Sequence, residues 1–189
     1  VGALCRRHNL FLVSDEVYRE FTYDGRVHRS ALTLDGLADH VIVTDSLSKR
    51  VSMCGARVGW IVTRNRSVLD AVLRFGQARL CPPTLDQFLG AALIDVPDTY
   101  IRGVVAEYER RRDVVYRELT AMPGVSVHRP EGAFYCCARL PIDDAQRFCE
   151  FLVRDFDVDG ETVLLAPGDG FYATPGLGRD EARIAYVLA

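Results

Sequence analysis

The chain has 189 residues, of which 49% are hydrophobic and 26% charged, with a formal net charge of −3. Those proportions suit a soluble globular protein and exclude collagen-like, coiled-coil and disordered classes. No apolar run approaches the roughly 20 residues that cross a bilayer, and scattered arginines in a mildly acidic chain give no electrostatic footprint for nucleic acid. The 23 cationic residues are 22 arginines and one lysine, Lys49, so chemistry that needs a side-chain primary amine has a single candidate.

The start, Val1 to Arg7, is not a signal peptide, because no long apolar stretch follows its basic residues. Gly2 to Arg7 reads as the tail of a helix. It feeds the apolar run Leu10–Val13, which reads as a buried strand ending at Ser14-Asp15. Val41–Thr44 and Val58–Val62 read as two further strands, the first ending at Asp45-Ser46. Ser67–Ala78 has a helical stripe of Val68, Leu69, Val72 and Phe75; Pro82-Pro83 breaks it, and Thr84–Ile94 reads as another helix. Strands alternating with helices predict an α/β layer fold with a sheet covered on both faces.

The texture changes after Pro97. A long helical pattern runs from Asp98 to Met122, capped by Asp98 or Thr99 and stopped by Pro123-Gly124. Predicted strands follow at Val125–Val127, Ala133–Ala138, Val163–Leu165 and Ala182–Leu188, with a helix near Ala145–Phe156. This predicts a small α+β unit. The expected division is a first domain of residues 1–97 and a second of residues 98–189, joined through the helix 98–122. A chain that begins inside a helix–strand unit and stops on a strand is expected to be part of a longer one.

Arg110-Arg111-Arg112 sits among Glu107, Glu109 and Asp113 and reads as a solvated helix face. Cys5, Cys54, Cys81, Cys136, Cys137 and Cys149 have no CxxC or Cys/His metal spacing, so buried, reduced cytoplasmic thiols and no metal are expected. His8, His28, His40 and His128 lie in polar surroundings. Trp60, after Gly59 in a strand, reads as core.

Two stretches carry chemistry. Thr44-Asp45-Ser46-Leu47-Ser48-Lys49 lies at the carboxyl end of a predicted strand, where ligands bind in open α/β sheets. Its hydroxyls, with Arg57 further on, suit a phosphate dianion. Lys49 beside them suits covalent attachment to a carbonyl; taken alone, the tetrapeptide Ser46–Lys49 recurs by chance and reads as a surface lysine. Ser14-Asp15-Glu16-Val17-Tyr18 also lies at a strand's carboxyl end. Asp15 suits a protonated heterocycle, with Tyr18 within reach of the same ligand, and it also suits plain helix capping.

Taken together, four segments resemble the pyridoxal-phosphate-dependent aminotransferases of fold type I, class I/II, particularly bacterial enzymes of the aspartate aminotransferase kind. They are VSDEVYREFTYDG (13–25), TDSLSKRVSMCGARVGWIVTRN (44–65), PEGAFYCCARL (130–140) and LLAPGDGFYATPGLGRDEARIAYVL (164–188). The resemblance implies that residues 1–97 are the C-terminal part of the cofactor-binding large domain, a mostly parallel sheet flanked by helices, and that 98–189 are the smaller domain. It gives Lys49 the role of holding pyridoxal 5'-phosphate and shuttling the substrate's Cα proton. Asp15 faces the ring nitrogen and Tyr18 the ring oxygen; Ser46, Ser48 and Arg57 grip the phosphate, and Arg183 takes the substrate's α-carboxylate. The glycines around Gly168 and Gly178 become an ordered loop before the last strand.

The implied function is transamination between an amino acid, aspartate-like by preference, and a 2-oxo acid, in a cytoplasmic homodimer. A lyase or synthase of the same fold would use the same residues, and the fold also serves as an effector domain of transcription regulators. The family's full chain is about twice this length and supplies further pocket groups. The 189 residues alone are therefore expected to be inactive, or nearly so.

Overall fold

The parallel pairing of two short apolar strands organises the first part of the chain. The structure, a computed structural model, describes residues 1–187, and these divide into two compact units that part between Gly103 and Val104. In the first unit, helix α1 (Gly2–His8) ends at Asn9, whose left-handed backbone (φ 50°) turns the chain toward strand β1 (Leu12–Asp15). Strand β2 (Val41–Ser46) runs parallel to β1, with Leu12 opposite Val41 and Asp15 opposite Thr44. Strand β3 (Gly59–Thr63) lies antiparallel on the other side of β2, giving the order β1-β2-β3.

Successive strand side chains point to opposite faces, and in this unit one face is covered. Val41 and Val43 are buried with Cys5 of α1 and Leu37, against Leu12, Ala31, Leu32 and Leu34. Each such buried side chain contributes about 1.5–3 kcal/mol. The opposite face differs from expectation. Phe11 is 57% exposed and Val13 62%, and Leu10 is exposed as well, so of the run Leu10–Val13 only Leu12 packs against the core. Ile61 of β3 is likewise exposed there, and Val62, opposite Val43 on the other face, is exposed as well.

A short helix α2 (Leu47–Arg50) follows β2 directly. Helix α3 (Arg66–Arg79) starts where the Asn65 side chain accepts from the Val68 N–H. Helix α4 (Thr84–Ala92) begins after Pro82-Pro83 and passes into a single tight turn, Leu93–Asp95, at the end of the predicted helix. The stripe of α3 is half-buried at Val68, Leu69 and Val72 and exposed at Phe75, while Leu85, Phe88 and Leu89 of α4 are all exposed.

Helix α5 (Asp98–Ala121) spans the division between the units and ends before Gly124, whose φ of +77° turns the chain. The second unit builds an antiparallel sheet from β4 (Ser126–Val127), β5 (Tyr135–Arg139), β6 (Ala166–Pro167) and β7 (Glu181–Ala185), in the order β4-β5-β7-β6. Helix α6 (Ala145–Arg154) is capped by Asp144 and buries Ala145, Cys149 and Leu152. Leu119, Cys136 and Ala138 form this unit's core, with Val115, Val127 and Ile184 against them.

Several expectations change here. Val163–Leu165 is not strand; pairing starts at Ala166, opposite Arg183, and Leu164 is exposed. The final strand spans Glu181–Ala185, and the predicted end at Leu188 lies outside the described residues. Gly168 and Gly178 let β6 approach β7: a Cβ on Gly168 would meet the Glu181 carbonyl oxygen at 2.7 Å. Arg112 is not on a solvated face. It is 1% exposed, with Nη1 donating to the Pro130 carbonyl at 2.9 Å and Nε 2.8 Å from Asp113. Helical period places Arg110 and Arg111 outward around Glu107, whereas Arg112 points inward. Of the six thiols, all free, Cys5, Cys136 and Cys149 are buried while Cys54, Cys81 and Cys137 are exposed. Among the described residues, no helix is long and apolar enough to cross a membrane.

Candidate active site

The register of β1 and β2 decides where the candidate residues fall. Asp15 and Thr44 are direct partners, so the carboxyl ends of both strands lie side by side, the edge at which ligands bind in open α/β sheets. Asp15 is exposed, and its Oδ1 accepts from the Val17 N–H at 3.2 Å, which starts the tight turn carrying Tyr18. Capping and ligand binding are thus compatible, since a carboxylate has two acceptor oxygens.

Ser46 ends β2. Its Oγ accepts from the Ser48 N–H at 3.2 Å and caps α2. On α2, Lys49 Nζ lies 5.9 Å from the centroid of the Tyr18 ring, within cation–π range. Arg57 has a left-handed backbone, φ 54°, which non-glycine residues seldom adopt, and its Nη1 donates to the Cys54 carbonyl at 2.9 Å. Ser46 pairs with Gly59, and the Leu47 N–H donates to the Val58 carbonyl, so the Arg57 segment is anchored beside the end of β2. Asp15, Tyr18, Ser46, Ser48, Lys49 and Arg57 therefore gather at one end of one sheet.

Arg183 belongs to the second unit. On β7 it stands opposite Cys137 of β5 and Ala166 of β6. Its Cζ lies 4.7 Å from the ring centroids of both Tyr135 and Phe171. Two ring contacts fix the plane of the guanidinium, whose donors radiate within that plane.

Sequence reasoning missed two charge clusters near this edge. In one, Glu16 is 3% exposed and accepts from Ser30 Oγ at 3.0 Å and the Ala31 N–H at 2.8 Å, with His28 Nε2 at 3.1 Å. Burial pushes its carboxyl up, but the Ala31 N–H, His28 and Ser30 outweigh that and hold it below the usual range. In the other, Arg19 and Arg50 bridge Asp45 and Glu20. Burial raises the Asp45 carboxyl above its usual range despite the Ser46 N–H and both arginines. Opposite charges at 19–20 and 45–50 were the available signal, but only the strand register brings them together. A cavity of about 610 Å³ adjoins this second cluster, with Glu20, Leu47, Arg50, Trp60 and Ile94 in its wall. Trp60, expected in the core, lines that cavity; Lys49, Tyr18 and Asp15 do not.

The family described as "Aminotransferase class I and II" matches residues 1–179. The chain belongs to that family. An aspartate aminotransferase of Bacillus subtilis is 30% identical, aligned over 100% of this chain and 48% of the relative. An arginine–pyruvate transaminase of Pseudomonas aeruginosa is 36% identical over 90% of the chain and 43% of its own length. Among solved structures, an aromatic aminotransferase from Pyrococcus horikoshii OT3 superposes with a TM-score of 0.86 at 29% identity, covering 100% of this chain and 49% of that one. The chain thus spans about half the length of the relatives it matches, and its α/β architecture is that of fold type I.

Proposed function

We propose that the protein carrying this chain is a pyridoxal-phosphate-dependent aminotransferase that moves an amino group from an aspartate-like amino acid to a 2-oxo acid. The observation that carries this reading is the chain's one lysine, Lys49, poised 5.9 Å from the Tyr18 ring at the strand end that also presents Asp15. Aspartate aminotransferases recur among the relatives, which favours an acidic donor.

The donor set fits the cofactor's chemistry. A carboxylate suits a protonated ring nitrogen, a phenol suits a ring oxygen, and hydroxyls with a guanidinium suit a phosphate dianion. When bound, the cofactor supplies a carbonyl that links to amines and a ring that withdraws electrons from the substrate's Cα. Lys49 Nζ would hold that carbonyl carbon and, once the substrate's amine has displaced it, act as the base that takes and returns the Cα proton. Asp15 would keep the ring nitrogen's proton in place, and the Tyr18 hydroxyl would donate to the ring oxygen. Ser46, Ser48 and Arg57 would anchor the phosphate; the Ser46 hydroxyl can donate while its oxygen caps α2. Arg183 would take the substrate's α-carboxylate through its planar fork.

On this reading, residues 1–97 contribute to the cofactor-binding large domain and residues 98–189 form the small domain, entered through the helix 98–122. Free thiols support a cytoplasmic setting. The exposed Phe75, Leu85 and Phe88 support a covered interface, as in a homodimer. The 189-residue chain by itself should turn over aspartate and 2-oxoglutarate at no detectable rate.

Tracing nitrogen tests the reading. With ¹⁵N-aspartate and 2-oxoglutarate, the cofactor-loaded protein should place the label in glutamate. Release of carbon dioxide or of a β-substituent, with no labelled glutamate, would instead mark a lyase and overturn it.

A further inference from the structure

Four charged side chains outside the proposed catalytic set close into a ring. Asp45 Oδ2 lies 3.3 Å from Arg19 Nη1 and 3.0 Å from Arg50 Nη2. Glu20 Oε1 lies 2.9 Å from Arg19 Nε and 2.8 Å from Arg50 Nε. Charges alternate around the ring, so every member has two opposite neighbours and the sum is zero. The Asp45 side chain is 2% exposed, which makes the loss of a partner costlier there than at a surface pair.

The ring's place in the chain gives it a purpose. Arg19 and Glu20 directly follow Tyr18, Arg50 directly follows Lys49, and Asp45 directly precedes Ser46, whose N–H it accepts at 2.7 Å. The β1–β2 ladder reaches only to the Glu16 N–H, which donates to the Thr44 carbonyl. Beyond that bond the ring ties the turn after β1 to the helix after β2.

We propose that Arg19, Glu20, Asp45 and Arg50 are positioning residues that hold Tyr18 against Lys49. The inference rests on reading Tyr18 and Lys49 as cofactor-handling side chains, yet its test needs no cofactor. Because Lys49 is the only lysine, acylation by an N-hydroxysuccinimide ester, read by peptide mapping, separates its amine from that of Val1. In the 189-residue chain, Arg19→Gln opens the ring at its most exposed member. The Lys49 acylation rate should rise about fivefold, the size of a typical pairwise coupling. Glu20→Gln should do the same, so the test survives if Asp45→Asn fails to fold. In a Tyr18→Leu background, Arg19→Gln should change the rate by less than about twofold, because the contact through which the ring acts is already gone.

An unchanged rate in Arg19→Gln and Glu20→Gln would overturn the proposal. So would the full increase in the Tyr18→Leu background, since the ring would then act elsewhere. Failure of the cofactor reading shows separately, as the lack of a Lys49-dependent absorption band.

Discussion

Arg183 Cζ lies 4.7 Å from the ring centroid of Tyr135, its diagonal neighbour across the antiparallel β5–β7 pair. Diagonal positions lie within reach of long and aromatic side chains, and Phe171 adds a second ring at the same distance. Such contacts contribute about 0.5–1 kcal/mol each at partly exposed sites. Phe171→Leu and Tyr135→Leu should each raise KM for amino-acid and 2-oxo-acid substrates about two- to fivefold while kcat holds. Arg183→Lys should cost more, because an ammonium cannot form the planar fork. Steady-state kinetics check both; an unchanged KM in the leucine variants would show that the rings do not orient Arg183.

Glu16 predicts a pH dependence of stability. Its folded pKa lies below the ordinary 4.5, so the folded state binds fewer protons there than the unfolded state. The stability it contributes is present above about pH 4.5 and is lost as pH falls through the lower folded value. Glu16→Gln should therefore destabilise the chain by about 1–3 kcal/mol at neutral pH. Its difference from the parent should narrow in acid, as urea titrations at several pH values would show.

Glu107 on α5 accepts from Arg110 and Arg111 at 2.9 and 2.8 Å. These bonds hold its carboxyl at about 2. An NMR titration should find that midpoint, and Arg110→Ala with Arg111→Ala should return Glu107 toward the usual carboxylate range.

Arg112 is the largest of the fully buried side chains and meets Glu109, Asp113 and the Pro130 carbonyl. Arg112→Ala leaves the Pro130 carbonyl without its donor, whereas Glu109 and Asp113 stay open to water, so the loss should be about 1–3 kcal/mol. Chemical denaturation should show the loss, whereas exposed Arg110→Ala should sit within about 0.5 kcal/mol of the parent.

The fold was legible wherever a local pattern decided it. The apolar runs before Asp15 and Ser46 and the stripe of the long helix fall where the chain's periodicity puts them. Burial was less legible, because Val13 and Ile61 have strand-core composition yet stand exposed. Arg112 went unseen because a charged triplet looks solvated until the helix phase is known. At the site, Lys49 and Asp15 stand out by type and place, since both follow strands. The Arg19–Asp45 contact spans two segments that only the β1–β2 register joins. Arg183 reads as an ordinary strand residue without the family resemblance, and its aromatic flanks depend on pairing across β5 and β7.

Lys49 is the residue proposed to carry the cofactor. The absorbance spectrum of the protein loaded with pyridoxal phosphate tests that role most directly. A band near the visible edge should be present in the parent and gone in Lys49→Ala; the same band surviving in Lys49→Ala would contradict the account.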